Sequence, residues 1–332
     1  MSGFIDVHGH VVLDESMGAA GSACGPELGK HPDGTPWFRV GDWRLDGVPY
    51  KESLFMQAEM RLEAMNTAGI SLQALSPNPL TYLHWIDQTD AINYCRTHNE
   101  AMGLLVQAHK NRFIGFASLP MQNIEASIVE LEYSVKELGL IGGYIGTDFG
   151  TDFDDPRMDP FYAACCELNV PLFIHPAPSG LDGPLRDPRM RKYDLDLVIE
   201  FSYEELVATS IIIFGGVTRR FPDLDICISH GGGSTMLHRS KLRLLAERRP
   251  AAPEWIREPG IFDAELDKLW FDCHVSGEKE FEFALSQIGT NRLVLGTNFG
   301  GWDSGSAHYP VEIVEVLNRN AAKLLRLEPH QN

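Results

Sequence analysis

The sequence lacks the features that mark several large classes of protein. It has no apolar run long enough to span a bilayer, and its N-terminus has no basic segment followed by an apolar stretch, as secretory signals do. Basic residues are few, since 28 Lys and Arg stand against 46 Asp and Glu for a net charge of −18. Such an acidic chain does not favour nucleic acid or anionic membranes as partners. We therefore expect a cytoplasmic protein with no membrane or nucleic-acid partner.

Two further absences concern covalent and modular organisation. The six cysteines are scattered and form no C-x-x-C pair, which argues against a disulfide framework. The chain has neither an internal repeat nor a low-complexity linker. We therefore predict a single domain over residues 1–332.

What is present is an alternation of short apolar runs with longer amphipathic stretches. The eight candidate strands are Phe4–Val7, Leu72–Ser76, Phe113–Ser118, Leu140–Ile145, Pro171–Ile174, Leu224–Ser229, Leu269–His274 and Arg292–Leu295. Most of them precede a helix-like segment, as in parallel β/α units. An open doubly wound sheet carries a similar pattern, but eight strands and 332 residues favour a (β/α)8 TIM-type barrel.

One long segment interrupts this alternation directly after the first strand. Residues 12–50 are rich in Gly, Pro and Asp and show no clear periodicity. Long irregular loops within compact domains commonly serve function, and this position lies at the carboxyl ends of barrel strands, where active sites form. We predict that the segment is an insertion that acts as a lid or wall of the active site.

The first strand ends in the sequence Asp6-Val7-His8-Gly9-His10. Side chains two residues apart on a strand point to the same side, so His8 and His10 can converge on one ion. Imidazole nitrogen suits zinc, and with less preference iron, nickel or manganese. An H-x-H pair alone is a weak signal, since it is also common as a structural pair.

Three other strand ends carry polar residues. His175 follows strand five, His230 follows strand six and Asn298 follows strand eight. Each alone is more typical of an ordinary hydrogen-bonded residue. In a barrel, however, all of these strand ends face one pocket, and together they predict a metal site.

These residues belong to a wider set of motifs that resembles a known family. The chain is similar to the aminocarboxymuconate-semialdehyde decarboxylase group (amidohydrolase 2 type) of the amidohydrolase superfamily. The resemblance rests on Asp6–His10, Trp37–Val40, Gln73–Ser76, Ala117–Gln122, Lys136–Gly139, Phe173–Pro176, Phe214–Val217 and His230–Gly233. It covers most of the chain, and the motifs taken together are highly specific.

The resemblance implies a role for each matching residue. In the family, two histidines of the H-x-H pair, the strand-five histidine and a strand-eight aspartate bind one metal, usually zinc. The metal ligands here would be His8, His10 and His175, with zinc expected and manganese as the alternative. His230 matches the acid/base histidine. Arg39 matches an arginine that holds a substrate carboxylate, a task that suits the guanidinium fork, although an ordinary solvated loop arginine remains the alternative.

The sequence departs from the family at strand eight, where Asn298 replaces the aspartate. Asparagine can offer a carbonyl oxygen to a metal, but it cannot ionise, neutralise the ion or pass a proton. The change is compatible with an engineered substitution, drift to another reaction or loss of catalysis. Asp303 is a candidate substitute, though an ordinary loop carboxylate is the simpler interpretation.

Three lesser candidates remain. His274 ends strand seven and is a candidate substrate contact, with a structural hydrogen bond as the alternative. Trp302 is a second candidate substrate contact. Glu204, in the helix before Phe214, is a candidate for steadying a metal ligand.

The leading functional hypothesis is a metal-dependent non-oxidative decarboxylase, a carbon–carbon lyase, acting on a small aromatic or unsaturated carboxylic acid. A metal-dependent hydrolase or hydratase of a lactone, amide or enoic acid is the second hypothesis. A catalytically impaired variant or non-catalytic binding protein, indicated only by Asn298, is the third. The resemblance also implies a homo-oligomer, most simply a dimer.

Overall fold

Alternating parallel strands and helices form the body of the protein, as the sequence predicts. The computed structural model describes residues 3–178, 181, 187–275, 277–304 and 311–327. The strands are β1 (Phe4–Val11), β2 (Glu27–Lys30), β3 (Pro36–Val40), β4 (Trp43–Asp46), β5 (Ile70–Pro77), β6 (Phe113–Gly115), β7 (Ala117–Ser118), β8 (Gly143–Ile145), β9 (Leu172–Ile174), β10 (Ile226–Ile228), β11 (Trp270–Asp272) and β12 (Leu293–Val294). All eight candidate strands are therefore present.

The helices in the described ranges follow most of these strands. They are α1 (Gly21–Cys24), α2 (Ala58–Ala68), α3 (Gln88–Ala108), α4 (Ile124–Lys136), α5 (Asp159–Leu168), α6 (Ile199–Phe214), α7 (Val217–Arg220), α8 (Thr235–Arg248), α9 (Ile261–Leu266), α10 (Glu278–Ile288) and α11 (Val311–Leu324). Local sequence sets their starts, as at α4, where the Asn123 side chain accepts a hydrogen bond from the Ala126 backbone N–H. Among the residues that the structure describes, no helix has the length and apolar character needed to cross a membrane.

The parallel strands lie in two sheets. One has the order β1-β5-β6, and the other has the order β12-β11-β10-β9-β8-β7. Backbone hydrogen bonds join the sheets at both edges of the three-stranded one: Val7 N in β1 donates to Leu295 O, directly after β12, over 2.9 Å, and Ile141 N, shortly before β8, donates to Gly115 O in β6 over 2.9 Å. The parallel α/β architecture is thus confirmed.

One buried cluster contains a side chain from each parallel strand apart from β6 and β7. In place of those two short strands, Phe116, the residue between them, contributes its side chain. Its strand members are Val7, Ala74, Phe116, Tyr144, Phe173, Cys227, Trp270 and Val294. Its other members are Tyr82, Ala321 and Leu324 of α11, and Leu325. A larger apolar cluster packs the helices onto the outer faces of the strands. The strands therefore bury both faces, which is typical of parallel sheets.

The segment 12–50 is not irregular throughout, although its sequence shows no clear periodicity. It contains the three-stranded antiparallel sheet β2-β3-β4. Phe38 and Val40 of β3 are fully buried and pack with Tyr50 in a third apolar cluster. The period-2 pattern escapes notice in the sequence because the strands are only four or five residues long and turn residues separate them. This segment, residues 12–50, is called the insertion below.

Candidate metal centre and its cavity

Four histidines from three strand ends meet in one buried cluster. His8 and His10 lie within β1, His175 directly follows β9, and His230 lies two residues beyond β10. The Nε2 atoms of His8 and His10 are 3.1 Å apart. The rings of His175 and His230 are centred 5.0 and 5.1 Å from the ring of His8. These four residues are called the histidine cluster.

The first three imidazoles are oriented by hydrogen bonds on their Nδ1 atoms. His8 Nδ1 lies 2.8 Å from a carboxylate oxygen of Asp272, and His10 Nδ1 lies 2.9 Å from Ser76 Oγ. His175 Nδ1 lies 2.6 Å from the carbonyl oxygen of the next residue. This leaves Nε2 of each ring turned to the centre of the cluster, and that of His175 is buried with no hydrogen-bond partner. Histidines that ligate metals are held in this way.

The electrostatics of these rings also fit a metal ion. Burial lowers the pKa of His8 to about 4 and holds the pKa values of His10 and His175 well below the usual value. The rings are therefore neutral at pH 7, as metal ligands must be. Two nitrogens on a tetrahedral ion would lie about 3.3 Å apart, close to the separation of His8 and His10. One ring nitrogen from each of His8, His175 and His230 also lies within 4.8 Å of the others.

His230 differs from the other three histidines because its pKa is raised rather than lowered. Its Nδ1 lies 2.7 Å from Oε1 of Glu205 in α6. Burial opposes a charge on this ring, but the carboxylates of Glu205 and Asp272 outweigh it and raise the pKa of His230 to about 9. Without a metal, His230 is thus a protonated imidazole beside three neutral ones. The sequence pointed to the neighbouring Glu204, one residue away from the carboxylate that makes this contact.

Asp272, at the end of β11, links the histidines and escaped the sequence analysis. Its Oδ2 lies 2.8 Å from His8 Nδ1. Its Oδ1 accepts hydrogen bonds from the backbone N–H groups of His230 and His274, each over 2.9 Å. Although burial opposes ionisation, the contact with His8 and the nearby imidazoles lower the pKa of Asp272. The signal in the sequence that could have revealed Asp272 was a carboxylate within the otherwise apolar strand Leu269–His274.

Asp6 of β1 fastens this strand to the loop after β12. It accepts hydrogen bonds from the His8 backbone, from Gln73 Nε2 and from both the backbone and the hydroxyl of Thr297. The buried Arg61 donates to Gln73 Oε1 over 2.7 Å and also to the carbonyl oxygen of His10. This buried network sets the position of the H-x-H pair relative to Asn298.

Asn298 lies beside the cluster and is paired with Asp303. Its Nδ2 donates to Asp303 Oδ1 over 2.7 Å, and the other oxygen of Asp303 lies 3.0 Å from His274 Nε2. Burial raises the pKa of Asp303, but the bonds to His274 and Asn298 outweigh it and lower the pKa to about 2. Asn298 and His230 both have left-handed backbones, with φ of 45° and 48°. Such conformations in residues other than glycine concentrate at functional sites.

A cavity of about 900 Å³ opens over the histidine cluster. Its described lining includes His10, His175, His230, His274, Asn298 and Trp302. His8 lies beneath these residues and is fully buried. Trp302 stands at the rim with 72% of its surface exposed. The cavity thus brings together seven of the eight predicted site residues, His8 at its base included.

Arg39 is the predicted residue that lies elsewhere. It sits on β3 and forms an ion pair of 2.8 Å with Glu27, and its guanidinium also donates to the carbonyl oxygens of Ser22, Ala23 and Gly41. It is not among the described residues that line the cavity. The sequence could not show this difference, because the partners of Arg39 depend on how the insertion folds.

The fold and the site define the class of the protein: an α/β enzyme with a histidine cluster at the carboxyl ends of its parallel strands. Residues 5–327 match the family described as Amidohydrolase. The chain belongs to the amidohydrolase family, and the resemblance stated from the motifs is confirmed.

Individual relatives agree with this assignment. The 2-amino-3-carboxymuconate-6-semialdehyde decarboxylase of Dictyostelium discoideum is 32% identical over 259 residues, covering 77% of this chain and 70% of that protein. IDCase from Metarhizium anisopliae, in its apo form, is 20% identical with a TM-score of 0.82 over 98% of each chain. A dihydroxybenzoic acid decarboxylase from Polaromonas sp. JS666, with bound manganese and the inhibitor 2-nitroresorcinol, is 22% identical with a TM-score of 0.75. It covers 100% of this chain and 99% of its own.

Proposed function

We propose that this protein is a divalent-metal-dependent, non-oxidative decarboxylase, a carbon–carbon lyase, of small aromatic or unsaturated carboxylic acids. The observation that carries the proposal is the convergence of four imidazoles at the base of a single cavity, one of them hydrogen-bonded to the Glu205 carboxylate. The relative from Dictyostelium discoideum and the Polaromonas enzyme are both decarboxylases, and they support this reaction over others open to the family.

The architecture in this proposal is one closed (β/α)8 barrel, with the insertion at the carboxyl ends of its strands. Three observations support closure: the hydrogen bonds at both sheet edges, the buried cluster with one member for each strand, and the gap of one residue between β6 and β7. Counting β6 and β7 as one interrupted strand gives eight parallel strands. A barrel of this kind makes residues 1–332 a single domain.

His8, His10 and His175 would hold the metal, and the side-chain oxygen of Asn298 would complete the set. An imidazole-rich site suits zinc, and the manganese in the Polaromonas structure makes manganese the alternative. When bound, the ion supplies positive charge that polarises the substrate's oxygen atoms and stabilises negative charge as it develops.

His230 would provide the proton that decarboxylation consumes. The bond between the substrate carbon and its carboxylate breaks, CO₂ leaves, and the electron pair stays on the carbon, which must then take a proton. His230 lies at the cavity surface, and Glu205 keeps its imidazole protonated. General acid catalysis of this kind typically contributes about 10² to 10⁴ in rate.

His274 and Trp302 would contact the substrate, since both line the cavity. Asp303 fixes the ring of His274. We assign Arg39 a structural role in the insertion, because four contacts within that segment engage its guanidinium. The homodimer and the cytoplasmic location stay predictions.

Elemental analysis and a CO₂-release assay test the proposal. The purified protein should contain about one divalent ion per chain, and the variant His175→Ala should lose it, whereas His109→Ala, outside the cavity, should retain it. The metal-loaded protein should release CO₂ from at least one hydroxybenzoic acid or unsaturated dicarboxylic acid. Conversion of lactones, amides or enoic acids without CO₂ release would contradict the proposal and favour hydrolysis or hydration.

A further inference from the structure

The cavity over the histidine cluster is divided into a polar base and apolar walls. The histidines, Asn298 and Asp303 provide polar atoms at the base. One wall comes from the insertion, where Trp43, Leu45 and Val48 line the cavity. Phe201 of α6 and Met236 of α8 add further apolar side chains to the lining. A ligand that reaches beyond the base therefore meets mainly hydrocarbon.

The apolar character continues to the rim. Val198, Leu237, Phe283 and Trp302 line the cavity and are 55%, 72%, 43% and 72% exposed. Exposed apolar side chains that gather around one opening mark a binding site, whereas single ones need no explanation. Lys279 and Glu280 are the charged exceptions among the described residues of the rim, and their charges are opposite.

The volume of the cavity exceeds what a small acid needs. About 900 Å³ lies near the upper end of the range of roughly 300–1,000 Å³ for sites that hold drug-sized ligands. An acid with a single ring at the histidine cluster would cover Phe201, whose ring lies 5.8 Å from that of His175, but would leave the apolar side chains of the rim in contact with water. Covering such surface is favourable in proportion to the apolar area removed from water.

We propose that the preferred ligand is a carboxylic acid that carries an apolar substituent on the side opposite its carboxylate. The carboxylate end would lie at the histidine cluster, and an alkyl or aryl group would run between the insertion and α6 to the rim. The inference rests on the proposed function for the reaction at the carboxylate, whereas the binding of the substituent follows from the walls alone.

A matched series of acids tests this by titration calorimetry on the metal-loaded protein. The probes are 2,6-dihydroxybenzoate, its 4-butyl derivative and the 4-(2-methoxyethyl) derivative, whose chain has the same length but contains an ether oxygen. Each methylene that is fully buried is worth roughly a fourfold gain in affinity. We expect the butyl acid to bind at least about tenfold more tightly than the parent acid, and the ether to fall between them.

Two variants locate the effect. The ratio of the Kd of the parent acid to the Kd of the butyl acid measures the gain from the substituent. Leu237→Ser should reduce this ratio about threefold or more, since the leucine lies at the rim. Leu244→Ser is the matched control, because Leu244 is on the same helix, is 41% exposed and is absent from the described lining of the cavity. The control should leave that ratio unchanged. Phe283→Ser provides a second rim variant on a different helix.

The outcomes separate this inference from the proposed reaction. Tight binding of the butyl acid without CO₂ release from any acid would contradict the decarboxylase and leave the apolar-substituent inference supported. Release of CO₂ from the parent acid with no gain in affinity for the butyl acid would overturn the inference alone. Weaker binding of the butyl acid, as expected if a second copy covered the rim, would also overturn it, as would equal effects of the two leucine variants.

Discussion

The histidine cluster and the insertion border the same cavity but contribute different kinds of side chain to it, polar ones from the cluster and apolar ones from the insertion. In the cluster, hydrogen bonds to neighbouring groups hold each ring, with Asp272 of β11 reaching His8 and Ser76 of β5 reaching His10. In the insertion, charged groups pair with one another, and the side chains that reach the cavity are apolar, such as Leu45. The base of the cavity therefore fixes the geometry of polar atoms, whereas the insertion gives the cavity its shape.

Removing the carboxylate that links the cluster should have the largest effect. Asp272→Ala leaves the ring of His8 and two backbone N–H groups without their acceptor in a fully buried place. We expect a loss of about 3 kcal/mol in the free energy of unfolding and about 10- to 100-fold weaker metal binding. Denaturant titration and metal-competition assays measure the two quantities.

Asp267→Ala is the control for that change. Asp267 also forms an ion pair, with Arg239, but its side chain is 57% exposed. Its removal should alter the free energy of unfolding by no more than about 0.5 kcal/mol. Equal effects of the two variants would show that the order of the cluster does not depend on its buried carboxylate, and the contrast with the insertion would fail.

Restoring the family's aspartate sharpens the comparison, because it changes charge at the base alone. Asn298→Asp adds a second carboxylate beside Asp303, which now accepts a bond from the amide of Asn298. In the metal-free protein the two carboxylates repel each other, whereas a bound cation compensates both. We expect at least about tenfold tighter metal binding, since an ion pair replaces a dipole.

The same variant tests whether Asn298 limits catalysis. If the aspartate is needed for turnover, kcat for CO₂ release should rise together with metal affinity. Tighter metal binding with unchanged kcat would assign Asn298 to the metal alone. Unchanged metal binding would mean that this side chain is not a ligand in either form.

The charge on His230 gives a prediction with a defined sign in the metal-free protein. Because the pKa of His230 is raised to about 9 from an unfolded value of about 6.5, protonation stabilises the fold fully below pH 6.5, and this contribution is lost as the pH rises towards 9. Glu205→Gln removes the carboxylate responsible, so the pKa should fall and this dependence should weaken. Titration of the imidazole by NMR measures the pKa directly, and a value unchanged in the variant would contradict the assignment.

The sequence was most informative where side chains follow strands. The carboxyl ends of parallel strands lie on the same side of the fold, and polar residues there face a common pocket. His8, His10, His175 and His230 could therefore be grouped from the sequence alone. The strands themselves were predictable because their apolar runs are short and separated by helical patterns. Both successes depend on regular backbone.

The sequence failed where partners come from contacts between distant segments. Asp272 is 264 residues from His8, and nothing local distinguishes its carboxylate from any other. Glu205 and Glu204 are adjacent on a helix, so only the rotation of α6 decides which of them faces His230. The partners of Arg39 required knowledge of the antiparallel sheet, whose short strands carry little periodic signal.

The smallest expected effect concerns Arg39, and it tests whether the insertion contributes only apolar side chains to the cavity or a charged one as well. If the guanidinium only joins β3 to the segment before it, Arg39→Ala should lower the free energy of unfolding by about 1–2 kcal/mol and leave KM for the parent acid within about twofold. Arg44→Ala is the matched control, since Arg44 lies opposite on β4 and its side chain is 49% exposed. A rise of tenfold or more in KM for Arg39→Ala, with stability equal to that of the control, would make Arg39 a group that binds substrate. The insertion would then supply charge as well as shape, and its contrast with the histidine cluster would no longer hold.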